Sequence, residues 1–162
     1  MSEARWSSGT LDEAEMTALA ERLAPAALEG GVIHLQGDLG AGKTTFARAL
    51  LIALGAGERI KSPTYSLIES YRIGDADAHH LDLYRIADAG ELEWLGLEDL
   101  WTRQALVLIE WPERGAGAMP PSDLTLLLRH SGEKRTIEAE SHSERGLRLL
   151  TAIAGPKSVQ GS

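Results

Sequence analysis

The sequence has no cysteine among its 162 residues. This absence excludes disulfides, zinc–thiolate sites, iron–sulfur clusters and a thiol nucleophile. Long apolar runs are also missing, because the longest, residues 49–54, is far shorter than the ~20 residues that cross a bilayer. The first residues carry neither the basic start nor the apolar stretch of a signal peptide. We therefore expect a cytoplasmic protein without a membrane-spanning helix.

Positive charge is in short supply as well. The chain has 16 Lys and Arg against 24 Asp and Glu, for a formal net charge of −8. Because phosphate repels a net negative charge, we do not expect a protein that grips nucleic acid by itself. The length and the 43% hydrophobic content fit one globular domain. We predict that this domain spans residues 1–154 and that residues 155–162 form a disordered tail.

The hydrophobic pattern predicts alternating strands and helices, as in an α/β fold. The first helix is predicted to start at Thr10, because Thr10 and Glu13 have the spacing of a capping box. Strands are predicted over residues 32–36, 65–71, 79–85, 105–109, 124–130 and 135–141. Further helices are predicted over 43–54 and 88–100 and from a Ser143 cap to Ala154.

The segment from Gly37 to Thr44 reads Gly-Asp-Leu-Gly-Ala-Gly-Lys-Thr and matches the P-loop pattern. Its glycines let consecutive backbone N–H groups turn toward a phosphate, and the following helix directs its positive end to the same place. We expect an exposed Lys43 to reach the β- and γ-phosphates and the Thr44 hydroxyl to bind Mg²⁺. The sequence therefore predicts a site for a nucleoside triphosphate.

The base of that nucleotide is expected to be adenine. GTPases read guanine with an Asn/Thr-Lys-x-Asp motif. The chain has no Asn, and none of its four lysines is followed two residues later by Asp. This absence favours ATP over GTP.

Two acids are candidates for the chemistry at the phosphates. Glu110 follows an apolar strand, where P-loop enzymes place an acid near the metal and the attacking water. Asp82 shares a strand face with His80, and Arg85 falls on the opposite face. Because His79 and His80 are adjacent in a strand and point opposite ways, we expect no histidine metal site. The hydroxyl-bearing loop 62–65 is either a nucleotide-sensing switch or a plain connection.

Four sequence blocks together resemble the TsaE (YjeE-type) family, the bacterial P-loop ATPases of tRNA threonylcarbamoyladenosine biosynthesis. The blocks are residues 37–45, 62–65, 80–85 and 109–113, and the resemblance runs from about residue 11 to residue 113. It implies a single P-loop NTPase-like α/β domain with a central mixed β-sheet flanked by helices. It also implies ATP hydrolysis with Mg²⁺ and assembly with the TsaB–TsaD complex, which modifies the adenosine 3′ of the tRNA anticodon.

The resemblance also implies roles for single residues. Thr44 and Glu110 are the expected metal ligands, and Lys43, Asp82 and Glu110 the expected catalytic residues. The expected nucleotide-binding residues are Asp38, Leu39, Gly40, Ala41, Gly42, Lys43, Thr44 and Thr45 of the loop, with Trp111 near the nucleotide and Glu13 by the adenine.

Two other functions stay open on the sequence alone. A small-molecule P-loop kinase usually needs an Arg-bearing lid, and Arg114 is followed here by the small residues 115–118 instead. A docking switch is the second alternative, in which ATP occupancy changes partner binding and hydrolysis is incidental. For the ATPase, we expect slow turnover alone and faster turnover with its partners.

Overall fold

The computed structural model of the chain describes residues 3–57, 67–93 and 97–155, and the backbone alone of residues 160–161. The strands in these ranges are β1 (Ala4–Leu11), β2 (Gly31–Gly37), β3 (Ile68–Ile73), β4 (Ala76–Asp82), β5 (Leu106–Glu110), β6 (Leu124–Ser131), β7 (Lys134–Ser141) and β8 (Gln160–Gly161). The α-helices are α1 (Glu13–Ala27), α2 (Lys43–Ala53), α3 (Gly90–Glu93) and α4 (Glu144–Ala154), and Leu97–Leu100 and Pro112–Gly115 form 3-10 turns.

All eight strands join one mixed sheet, in the order β3-β4-β5-β2-β6-β7-β1-β8. The four central strands β4, β5, β2 and β6 run parallel, and antiparallel strands extend both edges. Because parallel strands end at the same edge of a sheet, the carboxyl ends of β4, β5 and β2 lie side by side. The α/β class and the mixed sheet predicted from the sequence are confirmed.

The core lies on both faces of this sheet. Strand alternation on β5 sends Leu106 and Leu108 into the cluster beneath α1, α2 and α4, and Val107 and Ile109 into a second cluster. The second cluster also includes Leu92 of α3 and Leu97 of the first 3-10 turn. Both faces of β5 are therefore covered, which is why it reads as an unbroken apolar run.

The predicted start of the first helix is wrong by two residues. Asp12 is the N-cap, accepting from the backbone N–H of Glu15 at 2.8 Å, while the Glu15 carboxylate accepts from the N–H of Asp12 at 3.0 Å. Thr10 instead lies in β1, paired with Thr136 of β7. Strand β1 was not predicted, because residues 4–11 show no clear apolar alternation.

Two other predicted elements differ from the structure. The strand predicted over 79–85 is β4, which starts earlier, at Ala76, and ends at Asp82, although the N–H of Leu83 still donates to the carbonyl oxygen of Glu110. The acidic segment 88–100 forms α3 and a 3-10 turn, with residues 94–96 outside the described ranges. The loop 62–65 also lies outside them.

At the C-terminus, Ser143 caps α4 as predicted, accepting from the N–H of Gly146 at 3.0 Å. The backbone of β8 pairs with residues 4 and 5 of β1, and the disordered tail stays a prediction for residues 156–159 and 162. No helix in the described part of the chain has both the length and the apolar character needed to cross a membrane.

Candidate functional site

The P-loop connects the end of β2 to the start of α2. Gly37 and Gly42 have φ angles of 144° and 103°, values that favour glycine. A Cβ at Gly37 would lie 2.2 Å from the carbonyl oxygen of Leu128, and one at Gly42 would lie 2.8 Å from the Met16 side chain. Gly37 therefore requires glycine for space as well as for conformation, whereas Gly42 requires it for its conformation, because the flexible end of Met16 could move aside. The contact with Met16 also packs α1 against the loop.

The first turn of α2 faces the loop with its backbone N–H groups. Gly42 is the N-cap, and no side chain in the described ranges caps this end. Uncapped N–H groups and the positive end of the helix dipole together favour an anion. This part of the P-loop is built as its sequence predicts.

Lys43 is buried, with 4% of its surface exposed, so the expectation of an exposed lysine is wrong. Its Nζ donates to the carbonyl oxygens of Gly37 and Asp38, the latter at 2.9 Å, and lies 4.2 Å from the centre of the Trp111 ring. Burial lowers the pKa of the Lys43 ammonium, and the negative charges of Glu110 and Asp82 act in the opposite direction. The ammonium therefore lies at the centre of the loop, covered by an aromatic ring from another segment.

Glu110 meets the P-loop at the second residue of α2. Thr44 Oγ1 lies 2.8 Å from both Glu110 oxygens and donates its hydrogen to this carboxylate. On the other side, His80 Nε2 lies 2.6 Å from Glu110 Oε2. The Glu110 side chain is only 3% exposed, so its negative charge is held by neighbours and not by bulk water.

Asp82 ends β4 directly beside Glu110 in the sheet register, but it is exposed. Its Oδ1 accepts from the backbone N–H of Tyr84 at 3.1 Å. The ring of Tyr84 also contacts that of Trp111, with centroids 5.0 Å apart and planes tilted by 50°, and Arg114 lies over both rings, at 5.3 Å from Tyr84 and 5.7 Å from Trp111. An aromatic and cationic group therefore flanks the two acids.

These groups enclose an open cleft of about 210 Å³. It is lined by Leu39, Gly40, Gly42, Lys43, Thr44, Thr45, Asp82, Tyr84, Glu110 and Trp111. Most of the residues predicted for the site therefore lie together. Asp38 contributes its carbonyl to Lys43, and Ala41 is buried in the core beneath the loop. Glu13, at the exposed start of α1, does not line the cleft.

Three features of the site were not predicted. His80 was placed on the face of Asp82, but its contact with Glu110 was not foreseen. Arg135 Nη2 donates to the carbonyl oxygen of Gly40 at 3.2 Å, so the β6–β7 hairpin touches the loop. Trp111 has a φ of 57°, in the left-handed region, unlike the other non-glycine residues of the described ranges. No local sequence signal marks the last two features.

The oxygen atoms of Thr44, Glu110 and Asp82 suit Mg²⁺, which binds carboxylates and phosphates and keeps several waters. No cluster of three or more His, Cys, Asp or Glu side chains in the described ranges forms an all-protein metal cage. A Mg²⁺ ion bound with nucleotide fits this sparse donor set better than a permanently bound metal.

Comparison with known proteins agrees with the loop and the fold. Residues 10–137 match the family model of the threonylcarbamoyl adenosine biosynthesis protein TsaE. The protein named tRNA threonylcarbamoyladenosine biosynthesis protein TsaE in Haemophilus influenzae is 39% identical over 123 residues, 76% of this chain and 78% of that protein. The protein of the same name in Bacillus subtilis is 35% identical over 133 residues, 82% of each chain.

The architecture also has a counterpart among solved structures. A crystal structure of YdiB from Bacillus subtilis superposes with a TM-score of 0.72 and 28% sequence identity, covering 94% of each chain. The match therefore extends beyond the segment covered by the family model.

Proposed function

The chain belongs to the TsaE family, and on that premise we propose that it is a Mg²⁺-dependent ATPase subunit of tRNA threonylcarbamoyladenosine biosynthesis. It acts in the cytoplasm with a TsaB–TsaD-type protein complex and reaches tRNA only through that complex. The observation that carries this proposal is the hydrogen bond from Thr44 to Glu110, 66 residues apart in the chain. It joins the P-loop to the acid of a neighbouring strand, and P-loop NTPases hold Mg²⁺ with the loop hydroxyl and an acid in this place.

The P-loop supplies the phosphate contacts. The N–H groups at the start of α2 point to the position proposed for the phosphates, and the positive φ angles of Gly37 and Gly42 give the loop the turns that this requires. Lys43 already donates to two carbonyl oxygens of the loop. A bound phosphate would offer the Lys43 ammonium a charged acceptor, and a charged acceptor makes a stronger hydrogen bond than a neutral carbonyl does.

Thr44 and Glu110 form the metal side of the site. The Thr44 oxygen can offer a lone pair to Mg²⁺ while its hydroxyl still donates to the Glu110 carboxylate, because a hydroxyl has one hydrogen and two lone pairs. When bound, Mg²⁺ neutralises charge on the β- and γ-phosphates. The role of Thr44 and Glu110 would be to hold the positive charge of Mg²⁺ at one place beside the P-loop.

Asp82 is the better placed acid for the attacking water. It is exposed at the mouth of the cleft, whereas Glu110 is buried and already accepts from two side chains. In hydrolysis, water oxygen bonds to the γ-phosphorus, the bond to the bridging oxygen breaks, and ADP and phosphate leave. Asp82 orients this water by accepting one of its hydrogens.

Slow turnover by the subunit alone follows from its charges. Glu110 and Asp82 are both acidic, and among the described residues that line the cleft the positively charged side chain is that of Lys43. Arg114 lies on the aromatic rings of Tyr84 and Trp111 and does not line the cleft in this arrangement. A partner that moves Arg114 inward or brings its own cation would supply the missing positive charge.

The test is steady-state ATP hydrolysis by the subunit alone and with the partner complex, with and without tRNA. We expect the complex to raise the rate of hydrolysis. We expect Lys43→Ala to reduce that rate by about 100-fold or more, because the ammonium that would contact the phosphates is lost. Arg148→Ala is the matched control, since it removes an exposed positive charge on α4. Equal rates with and without partners would contradict the proposed stimulation. A phosphorylated small molecule would show a kinase instead.

Docking can be separated from hydrolysis in the same system. Partner affinity is measured with ATP, with ADP and with a non-hydrolysable ATP analogue. If threonylcarbamoylation proceeds as well with the analogue as with ATP, the protein is a docking switch. If the analogue supports docking but not repeated tRNA modification, hydrolysis is part of the cycle.

A further inference from the structure

His80 is a buried histidine between two acids. Only 4% of its surface is exposed, and it lies on β4 between β3 and β5. Its register partner on β3 is Glu69, and the acid of β5 that it contacts is Glu110. Neither the P-loop motif nor the proposed hydrolysis assigns it a part.

The hydrogen bonds of Glu110 show why a second donor is needed. Thr44 Oγ1 is 2.8 Å from each carboxylate oxygen, but a hydroxyl has a single hydrogen and cannot satisfy both fully. A carboxylate that is buried and unsatisfied costs more than a neutral group left in the same position. His80 Nε2, 2.6 Å from Oε2, supplies the second hydrogen bond. Because an ionised carboxylate only accepts, Nε2 carries the hydrogen.

The other ring nitrogen makes a weaker contact. Nδ1 of His80 is 3.6 Å from Glu69 Oε1, beyond hydrogen-bond length, and has no hydrogen-bond partner among the described residues. Among the described residues, the hydrogen bond that the His80 ring makes is therefore the one from Nε2 to Glu110. Because the two ring nitrogens differ in this way, substitutions can test the contribution of each one separately.

We propose that His80 is a positioning residue that fixes the Glu110 carboxylate through Nε2, so that Glu110 and Thr44 present one preformed oxygen site to Mg²⁺. The inference rests on the proposed function, in which Glu110 lies on the metal side. Two donors from different elements, α2 and β4, hold the carboxylate from both sides. Without the histidine, the bond from Thr44 is the one that remains to the carboxylate from the described side chains, and the carboxylate can rotate about it.

Two substitutions separate the ring nitrogens. The amide nitrogen of His80→Gln reaches the place of Nε2 and keeps a donor to Glu110, whereas the shorter His80→Asn reaches only the place of Nδ1. We expect His80→Asn to weaken Mg²⁺ affinity on the order of 10-fold, the usual effect of losing a partner behind a metal ligand. His80→Gln should recover most of that affinity. His79→Asn is the matched control, because His79 is equally buried on β4 but contacts Ser70.

Mg²⁺ affinity is measured by the binding of a fluorescent ATP analogue at increasing Mg²⁺, and independently by the Mg²⁺ dependence of ATP hydrolysis. The proposal predicts a higher Mg²⁺ requirement in His80→Asn with little change in the KM for ATP at saturating Mg²⁺. Equal affinities in wild type and His80→Asn, or equal losses in His80→Asn and His80→Gln, would overturn it.

A spectroscopic measurement keeps the proposal falsifiable if His80→Asn does not fold. Long-range proton–nitrogen NMR of ¹⁵N-histidine protein identifies which ring nitrogen of His80 carries hydrogen. We expect hydrogen on Nε2 and a change of its signal in Glu110→Gln. An Nε2 without hydrogen would refute the positioning role. Absence of any Mg²⁺-dependent nucleotide binding in wild type would instead refute the proposed function, and the NMR result would still decide the role of His80.

Discussion

Glu110 and Asp82 end neighbouring parallel strands and face each other in register, yet their environments differ sharply. Glu110 is buried and receives hydrogen bonds from Thr44 and His80. Asp82 is exposed and receives the backbone N–H of Tyr84. The difference follows from what each side chain meets, because Thr44 of α2 and His80 of β4 surround the Glu110 carboxylate, whereas the Asp82 carboxylate meets the backbone of its own turn at Tyr84. We therefore call Glu110 the fixed acid and Asp82 the adjustable acid of this sheet edge.

The largest expected effect separates the two acids by stability. Glu110→Gln and Asp82→Asn should each lower kcat on the order of 100-fold, since each removes an acid from the reacting groups. Only Glu110→Gln should also destabilise the fold, by about 1–3 kcal/mol, because its buried hydrogen-bond partners lose their acceptor charge. Asp82→Asn should stay within about 0.5 kcal/mol, as exposed substitutions usually do.

Urea unfolding and single-turnover hydrolysis on the same preparations give both quantities. If Asp82→Asn lost as much stability as Glu110→Gln, the distinction between a fixed and an adjustable acid would be wrong.

A smaller effect sharpens the description of the fixed acid. Thr44→Ala removes one oxygen from the metal side and the hydrogen bond to Glu110, so the Mg²⁺ requirement should rise by roughly 10-fold. Thr44→Ser keeps the hydroxyl and should remain close to wild type. A magnesium titration of ATP hydrolysis compares them. Equal Mg²⁺ curves for Thr44→Ala and Thr44→Ser would remove Thr44 from the metal side.

The smallest expected effect is a pH dependence of the free energy of unfolding, which involves a histidine on β4, the strand that ends at Asp82. Burial lowers the pKa of His79 on β4 and also of His34 on β2. Because both pKa values are lower in the folded state, the unfolded chain binds more protons as pH falls through the ordinary histidine range. The free energy of unfolding should therefore decrease between about pH 7.5 and about pH 5.5.

Urea unfolding at several pH values measures this slope, and His79→Gln should flatten part of it. A stability that rises on acidification would show that the two histidines do not govern the dependence, and an unchanged slope in His79→Gln would show that His79 does not contribute to it.

The parts of the site that the sequence predicted are local. Gly37 to Thr44 form the loop by their own spacing, and the apolar run before Glu110 is enough to place an acid at a strand end. The burial of Lys43 was not predictable, since the ring that covers it comes from Trp111. The contact of Arg135 with Gly40 joins residues 95 positions apart and leaves no local pattern.

The start of α1 shows a different limit. Thr10 and Asp12 each have a glutamate three residues later, so the chain offers two capping boxes of equal local quality. The structure uses Asp12, because pairing with β7 keeps Thr10 extended in β1. Long-range strand pairing therefore decides between two local alternatives that the sequence leaves equal.

The position of β1 also has a consequence for synthesis of the chain. The N–H of Ala4 bonds to Ser141 Oγ, 137 residues later, and β2 pairs with β5 and β6, which also follow much later. Pairings between distant segments form slowly, because a long loop must close first. On the ribosome, the N-terminal strand must wait for β7 to emerge, and β2 must wait for both of its neighbours. The nucleotide cleft is therefore expected to take shape late in translation, after most of the chain has left the exit tunnel.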